Sequence, residues 1–142
     1  MTVEERTREV HPLTLFAPEG ARLLMLGSFP PPRERWRMDF FYPNFQNDMW
    51  RIFGLVFFAD KSHFLTDDGH AFREAELRRF LTERGIAIWD TAMEVSRLQG
   101  NASDKFLEVL RPIDLRQTLA MLPSCRAIAV TGQKALDTLL TL

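Results

Sequence analysis

The stretch Arg22-Leu23-Leu24-Met25-Leu26-Gly27-Ser28-Phe29, followed by Pro30-Pro31-Pro32, decides how this chain is read. Leu23 to Leu26 is a continuous apolar run that Gly27 and Ser28 end, the pattern of a strand buried on both faces. The three prolines can neither extend a ladder nor together open an ordinary helix turn. A long loop to Asn47 follows, carrying Trp36, Phe40, Phe41, Tyr42 and Phe45 among Arg33, Arg35 and Arg37. An irregular loop of roughly twenty residues is uncommon in a compact domain and is usually functional or disordered. So many aromatic residues argue against disorder, and the loop reads as part of a site.

Two more apolar runs resemble the first. Ile86-Ala87-Ile88-Trp89 ends at Asp90-Thr91, and Ala127-Ile128-Ala129-Val130 ends at Thr131-Gly132. Between them lie helical patterns. Asn44 or Asn47 can cap a helix with Met49, Trp50, Ile52, Phe53, Val56 and Phe57 as apolar positions, a stripe wide enough to predict a well-buried helix. A second helix over about His70 to Glu83 buries Phe72, Leu77, Phe80 and Leu81 and stops at Gly85. A turn at Gly100, Asn101 and Ser103 precedes a short helix with Phe106, Val109 and Leu110 on one side, broken by Pro112. Asp114 with Gln117 resembles a capping box for a helix through Met121. A last helix from Gln133 buries Leu136, Leu139 and Leu140. The polar residues 1–10 read as a short helix or frayed arm.

Strands alternating with helices predict an α/β fold with a parallel sheet of Arg22–Leu26, Ile86–Trp89 and Ala127–Val130. Ligands of such sheets gather at the carboxyl ends of the strands. Here those ends are Gly27-Ser28-Phe29, Asp90-Thr91 and Thr131-Gly132.

Composition bounds the function. The 142 residues are expected to form a single domain, 1–142, with 46% hydrophobic residues and a net charge of −1. Nearly zero net charge gives no global attraction to nucleic acid, so any such binding must be local. No apolar run approaches the roughly 20 residues of a membrane helix, and the polar start, Thr2 to Glu9, is no signal peptide. A cytoplasmic monomer is expected. The single cysteine, Cys125, excludes an internal disulfide and a four-cysteine metal site, and reads as a small core or near-core thiol beside a strand. His11, His63 and His70 are scattered without ligand spacing, so neither metal nor cofactor is assigned.

At the strand ends a family resemblance appears. Gly27-Ser28-Phe29-Pro30-Pro31, then Phe41-Tyr42-Pro43, then Asn47-Asp48-Met49-Trp50 resembles the first motif of the uracil-DNA glycosylase superfamily, closest to its hypoxanthine-DNA glycosylase-like, mismatch-specific branch. Gly85-Ile86-Ala87-Ile88-Trp89-Asp90, followed by Arg97 and Gly100-Asn101-Ala102-Ser103-Asp104, is similar to a second stretch of that branch. Thr131-Gly132-Gln133-Lys134-Ala135 after the third strand also matches. The resemblance covers roughly residues 22–137 and implies a three-layer α/β/α fold with a short central parallel sheet. It further implies excision of a deaminated base, uracil or hypoxanthine, from DNA in base excision repair.

Such chemistry needs a flat pocket for an extruded base, an aromatic stacker and polar groups that read the base edge. By resemblance Asn47 holds the catalytic position and orients water, and Asp90 stands where relatives read the base. A buried Asp90 with a raised pKa would donate a proton to a base carbonyl. Gly27, Ser28, Phe29 and Tyr42 would bind the base, and Arg33, Arg35 and Arg37 would touch phosphates. Each has a plainer rival. Asn47 is also a helix cap, Asp90 a turn former, Phe29 and Tyr42 core residues, and the arginines, interleaved with Glu34 and Asp39, a solvated loop.

The pattern departs from the family in three places. Phe29 occupies a position that is Asn or Asp in better-known members, and Pro31 replaces a glycine. The wedge loop expected after a fourth strand has no counterpart before Leu142, because Leu122-Pro123-Ser124 precedes the third strand. The chain is therefore expected to be truncated at its C-terminus relative to the family, and weak or inactive as it stands. The favoured function is a monofunctional glycosylase, no lysine standing in the candidate site. The alternative is a non-catalytic nucleic-acid or nucleotide-binding module on the same fold. An unrelated α/β hydrolase is disfavoured, since Ser28 lacks a Gly-x-Ser-x-Gly elbow.

Overall fold

A computed structural model of the protein describes residues 8–97 and 107–142. They fall into two compact units. One comprises the chain through Phe29 together with the chain from Thr82 onward, and the other is Pro30–Leu81.

The first unit holds two three-stranded sheets. The parallel sheet is the expected one: β2 (Leu23–Gly27) lies between β3 (Ile86–Asp90) and β6 (Ala127–Val130). Leu23 pairs with Ile86 and with Ala127, and the register runs unbroken to Gly27 opposite Asp90. Burial explains the composition of the strands: Leu24 and Leu26 of β2 and Ile88 of β3 are fully shielded, each worth about 1.5–3 kcal/mol relative to exposure. Phe16 covers the far edge of β3, exchanging backbone hydrogen bonds of 3.0 and 3.1 Å with Ile88. On β6, Ala127 and Ile128 are exposed. The exposure follows from position: β6 is a sheet edge, with no strand among the described residues on its outer side.

The second sheet departs from expectation. β1 (Arg8–Val10), β4 (Ala92–Arg97) and β5 (Leu107–Pro112) pair antiparallel in the order β1-β4-β5. Residues 8–10 are thus a strand rather than a helix or frayed arm. Leu107–Pro112 is a strand rather than the predicted short helix, its buried Leu107 and half-buried Val109 lying two residues apart as in a pleat. The turn expected at Gly100, Asn101 and Ser103, and Phe106, lie outside the described residues. Across this sheet Arg111 hydrogen-bonds Glu94 at 2.6 Å, and Arg8 lies 3.8 Å away. The Arg111 bond, with both positive charges, holds the Glu94 carboxyl below its ordinary pKa.

The remaining helices of this unit are short. In α3 (Leu115–Ala120) the cap is as predicted, Asp114 Oδ1 accepting from the Gln117 N–H at 3.0 Å. In α4 (Gln133–Leu139) the buried residues are Ala135 and Thr138, while Leu140, expected inside, lies past the helix end and is three-quarters exposed.

The second unit contains α1 (Met49–Phe58) and most of α2 (Glu74–Arg84), which leads into Gly85 and β3. Leu77, Phe80 and Leu81 are buried as expected. Phe80 meets Phe53, Phe57, Phe58 and Phe64 at ring-centroid distances of 5.1–6.2 Å, the spacing of favourable aromatic pairs. The prediction that α1 is well buried holds only for Trp50 and Gly54; Ile52, Leu55 and Val56 are more than half exposed. No helix among the described residues is long and apolar enough to cross a membrane.

Gly54 is fixed by a close approach. A Cβ there would stand 2.4 Å from the Asp60 carbonyl oxygen, and the Asp60 N–H donates to the Gly54 carbonyl at 3.2 Å. Alanine gains about 1 kcal/mol over glycine in a helix interior, yet overpacking costs about 1–3 kcal/mol. Gly54→Ala should therefore lower the thermal or urea midpoint. A raised midpoint would mean the Asp60 turn yields freely.

Candidate functional site

In the first unit the register of β2 and β3 brings Gly27 opposite Asp90, and the two chains stay together beyond the ladder. The Thr91 N–H donates to the Gly27 carbonyl at 2.8 Å and the Ala92 N–H to the Ser28 carbonyl at 3.2 Å. Gly27, Ser28, Phe29 and Asp90 are therefore neighbours at one end of the sheet, and Ser28, Phe29 and Asp90 are buried.

Asp90 has a partner that sequence reasoning missed. His11 Nε2 lies 2.7 Å from Asp90 Oδ2, across 79 residues of sequence, with the imidazole fully buried. The ring meets Phe29 edge-on at 5.2 Å and tilts against Trp89 at 4.7 Å. Antiparallel pairing positions it: β1 runs along β4, and the His11 N–H continues the pattern to the Met93 carbonyl at 2.7 Å. The Leu13 N–H donates to His11 Nδ1 at 3.1 Å. Nδ1 therefore carries its lone pair, the ring proton sits on Nε2, and Asp90 Oδ2 accepts it. The other carboxylate oxygen, Oδ1, has no hydrogen-bond partner among the described residues and is not sealed from solvent. Next to it, the fully buried Thr91 hydroxyl also lacks a hydrogen-bond partner among the described residues.

The Phe29 ring belongs to a core cluster with Ala92, Val95 and Leu107, and Val109 packs against it. The Arg97 guanidinium lies 5.6 Å from the ring and Arg97 Nε donates to Glu9 Oε2 at 2.5 Å. Of the two roles weighed for this side chain, the packing fits the core one.

Tyr42, Asn47 and the three arginines lie in the second unit. The aromatic loop is ordered by its tryptophans. Trp36 Nε1 donates to the Pro31 carbonyl at 2.8 Å and Trp50 Nε1 to the Phe41 carbonyl at 2.9 Å, while the Arg37 N–H reaches the Pro43 carbonyl at 2.8 Å. Phe40 and Phe41 are buried. Tyr42, half-buried and edge-on to Trp50 at 5.7 Å, has φ +50°. That left-handed conformation costs a bulky residue about 1–3 kcal/mol and concentrates at functional sites.

Asn47 Oδ1 accepts from the Met49 N–H at 2.8 Å, so the side chain satisfies one free donor of α1 although Asp48 is the capping residue. Arg51 braces the turn through the Phe45 and Asn47 carbonyls at 2.7 and 3.2 Å. Arg33 pairs with Asp39 at 3.0 Å and lies 4.2 Å from the Trp36 ring centroid. Arg37 donates to the Trp36 carbonyl at 3.2 Å. All three arginines of the loop are exposed, and Arg35 has no ion pair among the described residues. Exposed pairs of this kind contribute about 0–1 kcal/mol, so the guanidinium of Arg33 can be redirected cheaply.

Among the described residues no three His, Cys, Asp or Glu side chains cluster as metal ligands. A cavity of about 540 Å³ beside Trp89, Met93, Ile113, Thr118 and Met121 contains none of the residues selected from sequence.

No protein-family model matches the chain, and no curated protein matches it. Among solved structures, the solution NMR structure of a candidate uracil DNA glycosylase from Methanosarcina acetivorans superposes with a TM-score of 0.68. The match covers 93% of this chain and 75% of that one at 23% identity. The chain thus has the α/β fold of uracil-DNA glycosylase type that its strand pattern and motifs led us to expect.

Proposed function

We propose that the protein is a monofunctional DNA glycosylase that extrudes a deaminated base, uracil or hypoxanthine, and cleaves its N-glycosidic bond with water, as a cytoplasmic monomer in base excision repair. The observation that carries this is the carboxyl end of β2 and β3, where Gly27 and Ser28 adjoin an Asp90 with one oxygen unpartnered. The fold is shared with a candidate uracil DNA glycosylase. In this reading the C–N bond breaks and the base departs with the bonding electrons, while water adds its oxygen to the sugar carbon and the proton it loses ends on the departing base. By resemblance, Gly27, Ser28 and the Phe29 backbone contact the base and Asp90 reads its edge, while Asn47 is assigned the water and Tyr42 the stacking role. It matches the hypoxanthine-DNA glycosylase-like branch best, with no cofactor and no metal.

One observation favours a second reading, a non-catalytic nucleic-acid or nucleotide-binding module: the Asn47 carboxamide oxygen is already engaged by the Met49 N–H. The two readings separate on Asn47→Ala. Loss of a positioned polar group at a reaction centre costs about 10²–10³ in rate, whereas loss of a cap costs about 1 kcal/mol of stability and little rate. We expect single-turnover release of uracil or hypoxanthine to fall at least 100-fold with the protein still folded. A lowered thermal midpoint with base release intact would make Asn47 a cap only. Absence of release by the full-length wild type would favour the binding module.

DNA contact is assigned to Arg33, Arg35 and Arg37. Replacing all three should weaken oligonucleotide binding and lower the slope of log K against log salt by up to about three units, each phosphate contact contributing roughly 0.7–0.9. An unchanged slope would move the DNA face elsewhere on the protein.

A further inference from the structure

We propose that His11 is a positioning residue that locks Asp90 as a hydrogen-bond acceptor, so that the free Oδ1 reads a ring N–H on the edge of a bound base. This rests on the reading of Asp90 as base-facing, but it reverses the sign of the contact expected from sequence, in which a protonated Asp90 donates.

Three observations on one side of the first unit carry it. The Leu13 N–H occupies the Nδ1 lone pair, which leaves His11 a single ring proton, on Nε2. That proton points at Asp90 Oδ2 over 2.7 Å. The imidazole cannot turn away, because its ring is fully buried between Phe29 and Trp89 and its own backbone N–H is tied to Met93. With Oδ2 fixed, the carboxylate plane is fixed, and Oδ1 is the atom left for a ligand.

An acceptor in that position distinguishes bases by chemistry. Uracil N3 and hypoxanthine N1 carry a hydrogen, whereas the corresponding cytosine N3 and adenine N1 carry a lone pair. Deamination converts the second kind into the first. A carboxylate facing a lone pair leaves two acceptors opposed, an arrangement costing about 1–3 kcal/mol when buried. An immobile carboxylate therefore favours the deaminated base, and one free to rotate or to take up a proton loses that preference.

The test uses binding rather than turnover. Single-stranded oligonucleotides carrying 2′-fluoro-2′-deoxyuridine, which resists cleavage, are compared with the same strands methylated at uracil N3. Wild type should bind the N3–H strand at least about tenfold more tightly. His11→Phe, which keeps ring volume but removes the donor, should abolish the preference, while His11→Gln, whose amide restores a donor, should recover most of it. A merely structural role would lower affinity for both strands together and leave their ratio unchanged.

Equal wild-type affinities, no binding of either strand, or full preference in a folded His11→Phe would each overturn the proposal. Should His11→Phe fail to fold, ¹⁵N NMR of the wild-type imidazole decides. A pyridine-like Nδ1 and pyrrole-like Nε2 are expected, and a protonated Nδ1 would overturn it. An intact N3–H preference in a full-length protein that releases no base would defeat the glycosylase reading and leave this inference standing.

Discussion

The register of β2 against β3 is the constraint on which the candidate site depends. Five consecutive pairs, from Leu23 with Ile86 to Gly27 with Asp90, bring two segments separated by more than fifty residues of sequence to a common end. Apolar burial holds the pair together, since β3 throughout and β2 from Leu24 onward are shielded on both faces. Backbone hydrogen bonds then carry it past the strands, through Thr91 to Gly27 and Ala92 to Ser28. The carboxyl group of Asp90 and the Gly27-Ser28 backbone are placed by the core, not by each other.

A second sheet finishes what the first begins. After Asp90 the chain enters β4 almost at once and pairs with β1, which supplies His11 to the side chain of Asp90. In the other unit two indole N–H groups cap loop carbonyls and so order a segment with little regular structure of its own. There Tyr42 is held in a left-handed conformation that an unconstrained tyrosine would leave. Both devices place polar or aromatic groups by contacts that are buried or part-buried, which is how preorganised sites are held.

The parallel strands were legible because Leu23–Leu26, Ile86–Trp89 and Ala127–Val130 are short apolar runs closed by turn residues. The Asp114 cap was legible because it acts three residues away. What escaped was non-local. Val109 and Leu110 fit a helix face as well as a strand, and only pairing with β4 decides between them. The apolar stripe of α1 predicted burial, yet stripe width says nothing about whether a partner surface exists, and Ile52, Leu55 and Val56 are exposed. His11 stands in an unremarkable His-Pro dipeptide, with no local signal for a contact 79 residues away. The motif residues of the candidate site could be named from sequence, but the protonation pattern around Asp90 required the fold.

The central claim is that the carboxyl end of the β2–β3 pair is a base-binding site. It is tested most directly by following backbone amide NMR signals while a short single strand containing one 2′-fluoro-2′-deoxyuridine is added. The account predicts saturable shifts concentrated at Gly27, Ser28, Asp90 and Thr91, weakened when uracil N3 is methylated. Shifts confined to the exposed face of α1 around Ile52, Leu55 and Val56, with Gly27 to Ser28 and Asp90 to Thr91 unmoved, would contradict it.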